Sequence, residues 1–289
     1  MSVTISSSAL TCRINKQGAE LSSVKNSEGT EFIWQANKEI WARHAPVLFP
    51  TVGKLKDNTF IFENKKYELP QHGFARDMKF TLVHLTESVC TFQLVSNEET
   101  LKKYPFNFIL EITYEVKDNK LITTYNVTNS SDSLLYFAIG AHPGFNVPLE
   151  KGERFEDYYL EFEPSSSYNT TVLKDGLLTE FKKELKLEGN RLNLTSALFD
   201  NDALVFEDHQ INTISLGSFI SNHKIKMECS HWPYFGIWSK KGSREFVCLE
   251  PWYGITDRSN SDKQFVNKKG LLLLDPDKDF TCSFSVTFI

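Results

Sequence analysis

The sequence predicts an all-β protein, built as one large sandwich of stacked sheets over residues 1–289. Three features indicate this class: apolar and polar residues alternate over long segments, helix-forming stretches are few, and aromatic residues are abundant, with 23 Phe and 10 Tyr. Alternation with a period of two buries one face of a strand, and aromatic side chains pack well on pleated surfaces. The serine patch at residues 165–167 is too short for a linker and no internal repeat is visible, so a single domain is expected.

The clearest strands are predicted at residues 108–116 and 121–128, where large apolar side chains alternate with polar ones. Asp118 and Asn119 lie between them and are typical turn residues, so the two segments are expected to form a hairpin. Residues 280–288 alternate in the same way and predict a strand that closes the chain. Shorter strands are predicted at residues 60–63, 67–69, 81–85, 89–95, 134–139, 158–162, 225–229, 235–239 and 246–249.

Helical segments are scarce. Residues 98–104 are the best candidate, because Asn97 can cap the first turn and Pro105 stops the helix after the last one. Residues 196–199 are predicted to form a single helical turn. The scarcity of helices supports the all-β prediction.

Composition excludes several classes of function. The chain has 32 Lys and Arg against 37 Asp and Glu, a net charge of -5 and no dense basic run, so nucleic acid is not an expected partner. The longest apolar stretches, at residues 134–141 and 271–274, fall far below the roughly 20 residues that cross a bilayer, so no membrane span is expected. Residues 1–10 lack the features of a secretory signal. Five dispersed cysteines without a C-x-x-C pair predict buried thiols in a reducing compartment, and hence a cytoplasmic protein.

Three short motifs interrupt the strand pattern at predicted strand ends: QHGFAR with His72, GAHPGFN with His142, and CLEPWYG with Glu250. Each places an ionisable residue beside Gly or Pro, where a rigid support can direct it into a cleft. Either histidine is also consistent with a hydrogen-bonded turn residue. Glu250 follows an apolar run and precedes Pro and Trp, so desolvation is expected to raise its pKa toward that of a general base. The alternative is a glutamate at the rim, paired with Arg or Lys.

Aromatic residues near the third motif leave two interpretations open. Trp232, Trp238, Trp252 and Tyr253 are either core residues or a floor on which a ring-shaped ligand stacks. Trp252 is the candidate for substrate contact.

Five landmarks follow one another along the chain: WARHAPVLFP from Trp41 with VGK shortly after it, then HGFAR, AHPGFN, PYFGIW from Pro233, and CLEPW. Together they resemble the galactose mutarotase-like aldose 1-epimerases, and within them a branch of bacterial proteins encoded with lactose and galactose genes. The similarity spans nearly the whole chain. It implies a large β-sandwich of stacked, mostly antiparallel sheets, in agreement with the strand pattern.

The resemblance also implies a reaction, the interconversion of the α and β anomers of an aldohexose by ring opening, rotation about the C1–C2 bond and closure. By position, Glu250 corresponds to the general base that takes the C1 hydroxyl proton, and His142 to the general acid that donates to the ring oxygen. His72 and Arg76 match residues that hold sugar hydroxyls or the ring oxygen, and Asp202 is a loose counterpart of a substrate-binding aspartate. Ring opening is an internal proton relay, so no metal and no cofactor is expected.

The identity of the sugar stays open, because GKLKDN at residues 53–58 departs from the Arg and Asn-Arg stretch of galactose-specific enzymes. A related branch acts on hexose 6-phosphates and needs cations, for which Arg43, Arg76 and Lys54 are candidates. A free aldohexose such as galactose or glucose ranks first, because the net negative charge offers no long-range attraction for a phosphate.

Two other classes of function also stay open. His72, His142 and Glu250 would supply the two-histidine, one-carboxylate triad of a non-haem iron site, although such sites draw two ligands from one close-spaced motif. The other class is a sugar-binding or sensing protein without turnover, against which the presence of both Glu250 and His142 argues. The sequence makes no prediction of the oligomeric state.

Overall fold

The computed structural model describes residues 2–165 and 167–289, so Ser166 of the serine patch and Met1 lie outside the described residues. The strands are β1 (Ser2–Ser6), β2 (Leu10–Asn15), β3 (Leu21–Asn26), β4 (Val47–Leu48), β5 (Thr59–Phe62), β6 (Lys65–Glu68), β7 (Thr81–Leu85), β8 (Val89–Val95), β9 (Phe108–Lys117), β10 (Lys120–Asn129), β11 (Leu135–Phe137), β12 (Ile139–Ala141), β13 (Gly144–Asn146), β14 (Tyr158–Phe162), β15 (Tyr168–Lys174), β16 (Leu177–Leu185), β17 (Arg191–Asn193), β18 (Leu204–Phe206), β19 (Thr213–Ser218), β20 (Lys224–Glu228), β21 (Tyr234–Trp238), β22 (Phe246–Tyr253), β23 (Leu272–Leu274) and β24 (Asp279–Phe288). The helical segments are α1 (Glu98–Lys103) and the short 3-10 helices Lys56–Asn58, Ala75–Asp77, Phe155–Asp157 and Phe265–Asn267.

Two large sheets dominate the architecture. One has nine strands in the order β17-β14-β19-β20-β24-β10-β9-β8-β7, and the other has eight in the order β16-β15-β18-β21-β22-β12-β4, with β13 added beside β22. Strand pairs within both sheets run antiparallel. A three-stranded sheet (β1-β2-β3) and two small two-stranded sheets complete the fold. The prediction of an all-β protein with stacked antiparallel sheets is confirmed.

The β9–β10 hairpin shows how local sequence produces this architecture. Its ten-residue strands alternate buried and partly exposed positions, and the register pairs Thr123 with Tyr114 across the ladder. The turn between them uses Asp118 in the left-handed region, at φ 52°, as predicted for a turn residue. The buried face joins the main hydrophobic core, where each fully buried large side chain contributes about 1.5–3 kcal/mol.

Helix α1 forms where it was predicted. The Asn97 side chain accepts hydrogen bonds from the backbone N–H groups of Glu99 and Thr100, and the Asn97 N–H donates to the Thr100 hydroxyl oxygen, which completes a capping box. The helix ends at Lys103, just before Pro105. The predicted Asn97 cap and the predicted stop at Pro105 therefore both define the ends of this helix.

Two predicted elements are wrong. Residues 196–199 form no helix; consecutive turns replace it, with Leu198 N–H bonded to Thr195 O and Asp200 N–H to Ala197 O. The single strand predicted at residues 134–139 is two strands in different sheets, since β11 pairs with β23 and β12 with β22 and β4. The chain passes between them at Ala138, whose N–H donates to Pro50 O. An apolar run does not reveal that two neighbouring segments pair with different partners.

All five cysteines are buried free thiols, as predicted. In the part of the chain that the structure describes, no helix is long and apolar enough to cross a membrane. The eight-stranded sheet carries the functional site: Glu250 lies within β22 rather than at the predicted strand end, His142 follows β12, and Gly73 of the QHGFAR motif bridges to Phe49 just after β4.

Candidate active site

Strand β22 supplies the carboxyl group of the site. Cys248, Glu250 and Trp252 alternate along this strand and therefore lie on one face. Glu250 is buried, with 1% of its surface exposed, so the rim position paired with Arg or Lys is wrong. Its neighbour across the ladder is Gly236, where an added Cβ would come within 2.3 Å of the Trp252 ring. Glycine at this position lets the Trp252 indole lie flat across β21.

His142 follows β12 directly and lies against Glu250. Its Nε2 is 3.3 Å from Glu250 Oε2, but neither this pair nor any other described group gives Oε2 a well-aligned hydrogen bond. The imidazole stacks on Trp41, with ring centroids 4.9 Å apart, and meets the edge of Trp238 at 5.6 Å. The two aromatic rings fix the orientation of the imidazole in the absence of strong hydrogen bonds.

His72 is also a neighbour of His142, and the centroids of the two imidazole rings are 5.5 Å apart. Its backbone has a φ of 68°, which turns the chain sharply at the QHGFAR motif. The Gly53 N–H donates to His72 Nδ1 at 3.2 Å, so a neutral His72 carries its proton on Nε2. Burial and the nearby His142 and Arg76 hold the pKa of His72 well below its usual range. His72 is therefore a neutral hydrogen-bond donor.

A pair of arginines lies beside His72, with Asp77 between them. Arg43 Nη2 pairs with Asp77 Oδ1 at 2.8 Å, whereas Arg76 Nε is 3.9 Å from Asp77 Oδ2 and has no hydrogen-bond partner among the described residues. Arg76 Nη2 donates to Gln71 O at 2.6 Å. Burial and the neighbouring Arg43 lower the pKa of Arg76 to about 10, so its charge is kept at neutral pH.

Glu250, His142, His72 and Arg76 line one cavity of about 390 Å³, within the size range of small-molecule sites. The lining residues are Trp41, Gly53, Gln71, His72, Arg76, His142, Leu173, Gly176, Asp202, Ala203, Val205, Trp238, Glu250, Trp252 and Thr256. The six residues predicted as catalytic or substrate-binding all line this cavity, namely His72, Arg76, His142, Asp202, Glu250 and Trp252, whereas the candidate cation Arg43 does not. Trp252 and Trp238 face the cavity, whereas Trp232 belongs to the core. Lys54 is not a lining residue; its Nζ donates to Asp175 O at 3.1 Å.

Sequence reasoning assigned no role to several lining residues. Trp41 begins the first of the five landmarks and Gln71 precedes His72, but the sequence predicts no contact with a ligand for either residue. Thr256 lies just beyond the last motif, and its hydroxyl donates to Gly176 O at 2.7 Å. This bond ties the tip of the β15–β16 hairpin to the cavity wall, and only the fold reveals it.

Burial shifts the pKa values of the central pair in opposite directions. It raises the pKa of Glu250 well above its usual range, against an opposing effect of the Trp252 indole, and Asp202 adds to the increase. Burial, with Arg76, lowers the pKa of His142 to about 3. The neutral acid and neutral imidazole are therefore favoured when nothing else is bound, and the pair holds one proton between two adjacent groups. Such a pair titrates as a unit.

A second grouping includes Cys248. The ligating atoms of His142, Cys248 and Glu250 all lie within 4.8 Å of one another, and His72 is not part of this group. The two-histidine triad considered from the sequence thus does not match the closest set of potential metal ligands among the described residues. Burial, followed by the nearby Glu250, raises the pKa of the Cys248 thiol well above its usual range.

The protein is an antiparallel β-sandwich with a buried carboxyl–imidazole pair facing one cavity. The chain belongs to the aldose 1-epimerase family, whose model matches residues 1–278.

Similar proteins agree with this assignment. The chain is 32% identical to Protein LacX of Lactococcus lactis, and each chain is covered completely. A galactose mutarotase related enzyme from Lactobacillus acidophilus superimposes with a TM-score of 0.96 at 39% identity, over 100% of this chain and 97% of that one. A galactose mutarotase-like protein from Lactobacillus casei superimposes with a TM-score of 0.92 at 33% identity, with both chains fully covered. The family inferred from the five landmarks is confirmed.

Proposed function

We propose that this protein interconverts the α and β anomers of a free aldohexose, with Glu250 as general base and His142 as general acid. One observation carries the assignment of residues. The buried Glu250 carboxyl and His142 imidazole lie 3.3 Å apart and line one cavity together with Arg76 and Trp252. An acid and a base that face one cavity side by side can exchange protons with a sugar bound there.

The proposed reaction begins with the ion-pair form of the two central groups. Glu250 takes the proton of the C1 hydroxyl while His142 gives its proton to the ring oxygen, so the C1–O5 bond breaks and the open aldehyde forms. Rotation about C1–C2 presents the other face of the carbonyl, and the two proton transfers run in reverse. No atom other than these protons is exchanged between the protein and the sugar.

The surroundings of His142 support this role. Its acid form carries a positive charge in a buried position, which burial alone disfavours. The face of Trp41 is stacked against the ring at 4.9 Å, and an aromatic face attracts a cation. The nearby carboxylate, at 3.3 Å, stabilises the same charge. Both contacts favour the imidazolium when Glu250 is ionised.

Substrate contacts are proposed for four further residues. His72, whose Nε2 also lies 3.2 Å from the Gln71 side-chain nitrogen, and Arg76 can donate to sugar oxygens, and the Asp202 carboxylate can accept from sugar hydroxyls. The Trp252 ring forms an apolar surface next to Glu250, suited to the C–H face of a hexose.

The charge balance of the cavity supports a free sugar rather than a 6-phosphate. Arg43 is paired with Asp77, and Lys54 bonds to a backbone oxygen outside the lining. Arg76 is left as the single cation among the described lining residues, and the carboxyl groups of Asp202 and Glu250 line the same cavity. A phosphate dianion needs more cationic partners than this. The five buried thiols support the cytoplasm as the location.

The test is polarimetry on freshly dissolved α-galactose and α-glucose, with wild-type protein and Glu250→Gln at equal concentration. The proposal expects faster mutarotation with the wild type and a loss of about 10²–10⁴-fold in the variant. Binding of either sugar without any acceleration would favour the sugar-binding alternative. Equal acceleration by both proteins would remove Glu250 from the mechanism.

A further inference from the structure

Three potential metal ligands lie close together beside the cavity, and two of them, His142 and Glu250, line it. The donor atoms of His142, Cys248 and Glu250 lie within 4.8 Å of one another, and His142 Nε2 is 3.3 Å from Glu250 Oε2. Around a tetrahedral zinc ion, with bonds of about 2.0–2.3 Å, the ligand atoms are roughly 3.3–3.8 Å apart. The three donors are therefore within a small side-chain adjustment of zinc coordination.

The backbone holds these residues in place. Cys248 and Glu250 are two residues apart in β22 and lie on one face, and β13 pairs Gly144 with Cys248. The Leu249 N–H also donates to Pro143 O, next to His142. All three ligands are at least nine-tenths buried, with 7%, 0% and 1% exposure for His142, Cys248 and Glu250, and Glu250 Oε2 has no hydrogen-bond partner among the described residues. The backbone thus holds the three donor atoms in place and away from water, and Glu250 Oε2 is available to coordinate an ion.

We propose that His142, Cys248 and Glu250 form a reversible inhibitory site for a thiophilic divalent cation, with zinc as the best fit. Nitrogen, sulfur and carboxylate oxygen are the donors that zinc takes in proteins, and three of them leave a fourth position open. That position faces the cavity, because His142 and Glu250 both line it. On binding, the Cys248 thiol and the protonated Glu250 carboxyl each release one proton to solvent, and the thiolate sulfur and the carboxylate oxygen coordinate the ion.

Two features indicate an inhibitory rather than a resident ion. A resident zinc site fixes its histidine through a hydrogen bond from the second ring nitrogen, whereas His142 Nδ1 has no such partner among the described residues. Moreover, the ion would coordinate the His142 imidazole and the Glu250 carboxylate, the two groups that carry protons in the proposed function. The inhibition therefore rests on the proposed function, while the binding of metal does not.

Metal binding is tested first, without sugar, on untagged protein with Co²⁺ and Zn²⁺ as the probes. One cobalt per chain is expected, with a thiolate-to-cobalt charge-transfer band that zinc removes. Cys248→Ser should lose the band and weaken zinc binding by at least about tenfold in equilibrium dialysis. The matched control is Cys282→Ser, which removes a buried thiol in β24 outside the cluster. This variant should keep both the cobalt band and the zinc affinity.

Absence of the band from the wild type, or its persistence in Cys248→Ser, would overturn the proposal. If Cys248→Ser does not give a folded circular dichroism spectrum, His142→Asn replaces it; this variant retains the thiol and should lose tight binding. Unchanged zinc affinity in His142→Asn would likewise overturn the proposal.

Inhibition is tested by anomer exchange in the presence of zinc. Cys248→Ser should keep near-wild-type exchange without metal, and its half-inhibiting zinc concentration should rise by at least about tenfold. Equal inhibition of both proteins would mean that zinc acts elsewhere, and this part of the proposal would fail. Metal binding at Cys248 in a protein without any exchange activity would instead contradict the proposed function and leave the metal site standing.

Discussion

Replacement of Glu250 by glutamine is expected to remove catalysis and, at alkaline pH, to stabilise the fold. Burial raises the folded-state pKa of Glu250 above its ordinary value of 4.5. The carboxyl group therefore contributes fully to stability below that ordinary value, and the contribution is lost as the pH rises through the folded-state pKa. At alkaline pH the wild type must hold a buried carboxylate whose Oε2 has no hydrogen-bond partner among the described residues. Glutamine has nearly the same shape and no charge.

The expected size of this effect follows from the burial of Glu250. A buried polar group without a partner costs about 1–3 kcal/mol, and a charged group costs more. The free energy of unfolding of Glu250→Gln should thus exceed that of the wild type by about 1–3 kcal/mol near pH 9, and the difference should shrink toward zero near pH 4. For a chain of this size, each kcal/mol corresponds to a change of about 2–4 °C in Tm.

Thermal and urea unfolding at several pH values measure the effect, with Glu207→Gln as the matched control. Glu207 is equally buried, but hydrogen bonds from Lys269 and Thr171 outweigh burial and hold its pKa below the usual range. Its stabilising contribution is present above the ordinary carboxyl pKa and is lost as the pH falls through the folded-state value. Glu207→Gln should therefore be less stable than the wild type at neutral pH. A Glu250→Gln variant that is destabilised at high pH would refute the reasoning.

Three further predictions concern the catalytic pair and the substrate. The double variant His142→Asn/Glu250→Gln should lose little more activity than the worse single variant, because residues that act as a unit are non-additive; fully multiplicative losses in kcat would contradict a shared relay. The pH profile of kcat/KM should be bell-shaped with both limbs belonging to the pair, because one proton must be shared between the two groups, and a flat profile from about pH 5 to 9 would contradict it. Free galactose or glucose should have a higher kcat/KM than its 6-phosphate at matched ionic strength; a tenfold or larger preference for the phosphate that Arg76→Ala abolishes would reverse this ranking.

Much of the fold could be predicted because strand alternation is a local property. Strands β9, β10 and β24 alternate over their whole length, so their burial pattern follows from the sequence. Strand β16 was missed, since it lies at the edge of its sheet and most of its side chains are exposed. Strand β4 has two residues and no detectable period. Sheet edges and very short strands are defined by their neighbours rather than by their own residues.

The sequence predicts which residues form the site, but not which of them contact one another. The motifs identified His72, His142 and Glu250, because an ionisable residue beside Gly or Pro interrupts the strand pattern; Glu250 nevertheless lies inside β22. The contact between His142 and Glu250 depends on the pairing of β12 and β13 with β22, segments that are far apart in the sequence. The same pairing brings Cys248 beside them. No local signal predicts such a contact, nor the use of Asp77 by Arg43.

The most direct test of the central claim is the rate of exchange between the α and β anomers at equilibrium, measured by NMR saturation transfer between their C1 proton signals. Wild-type protein should transfer saturation between the two signals of galactose or glucose at catalytic concentration. Glu250→Gln, at equal concentration and with its fold verified, should reduce the rate by about 10²–10⁴-fold. No transfer with the wild type, for either free sugars or their 6-phosphates, would contradict the account.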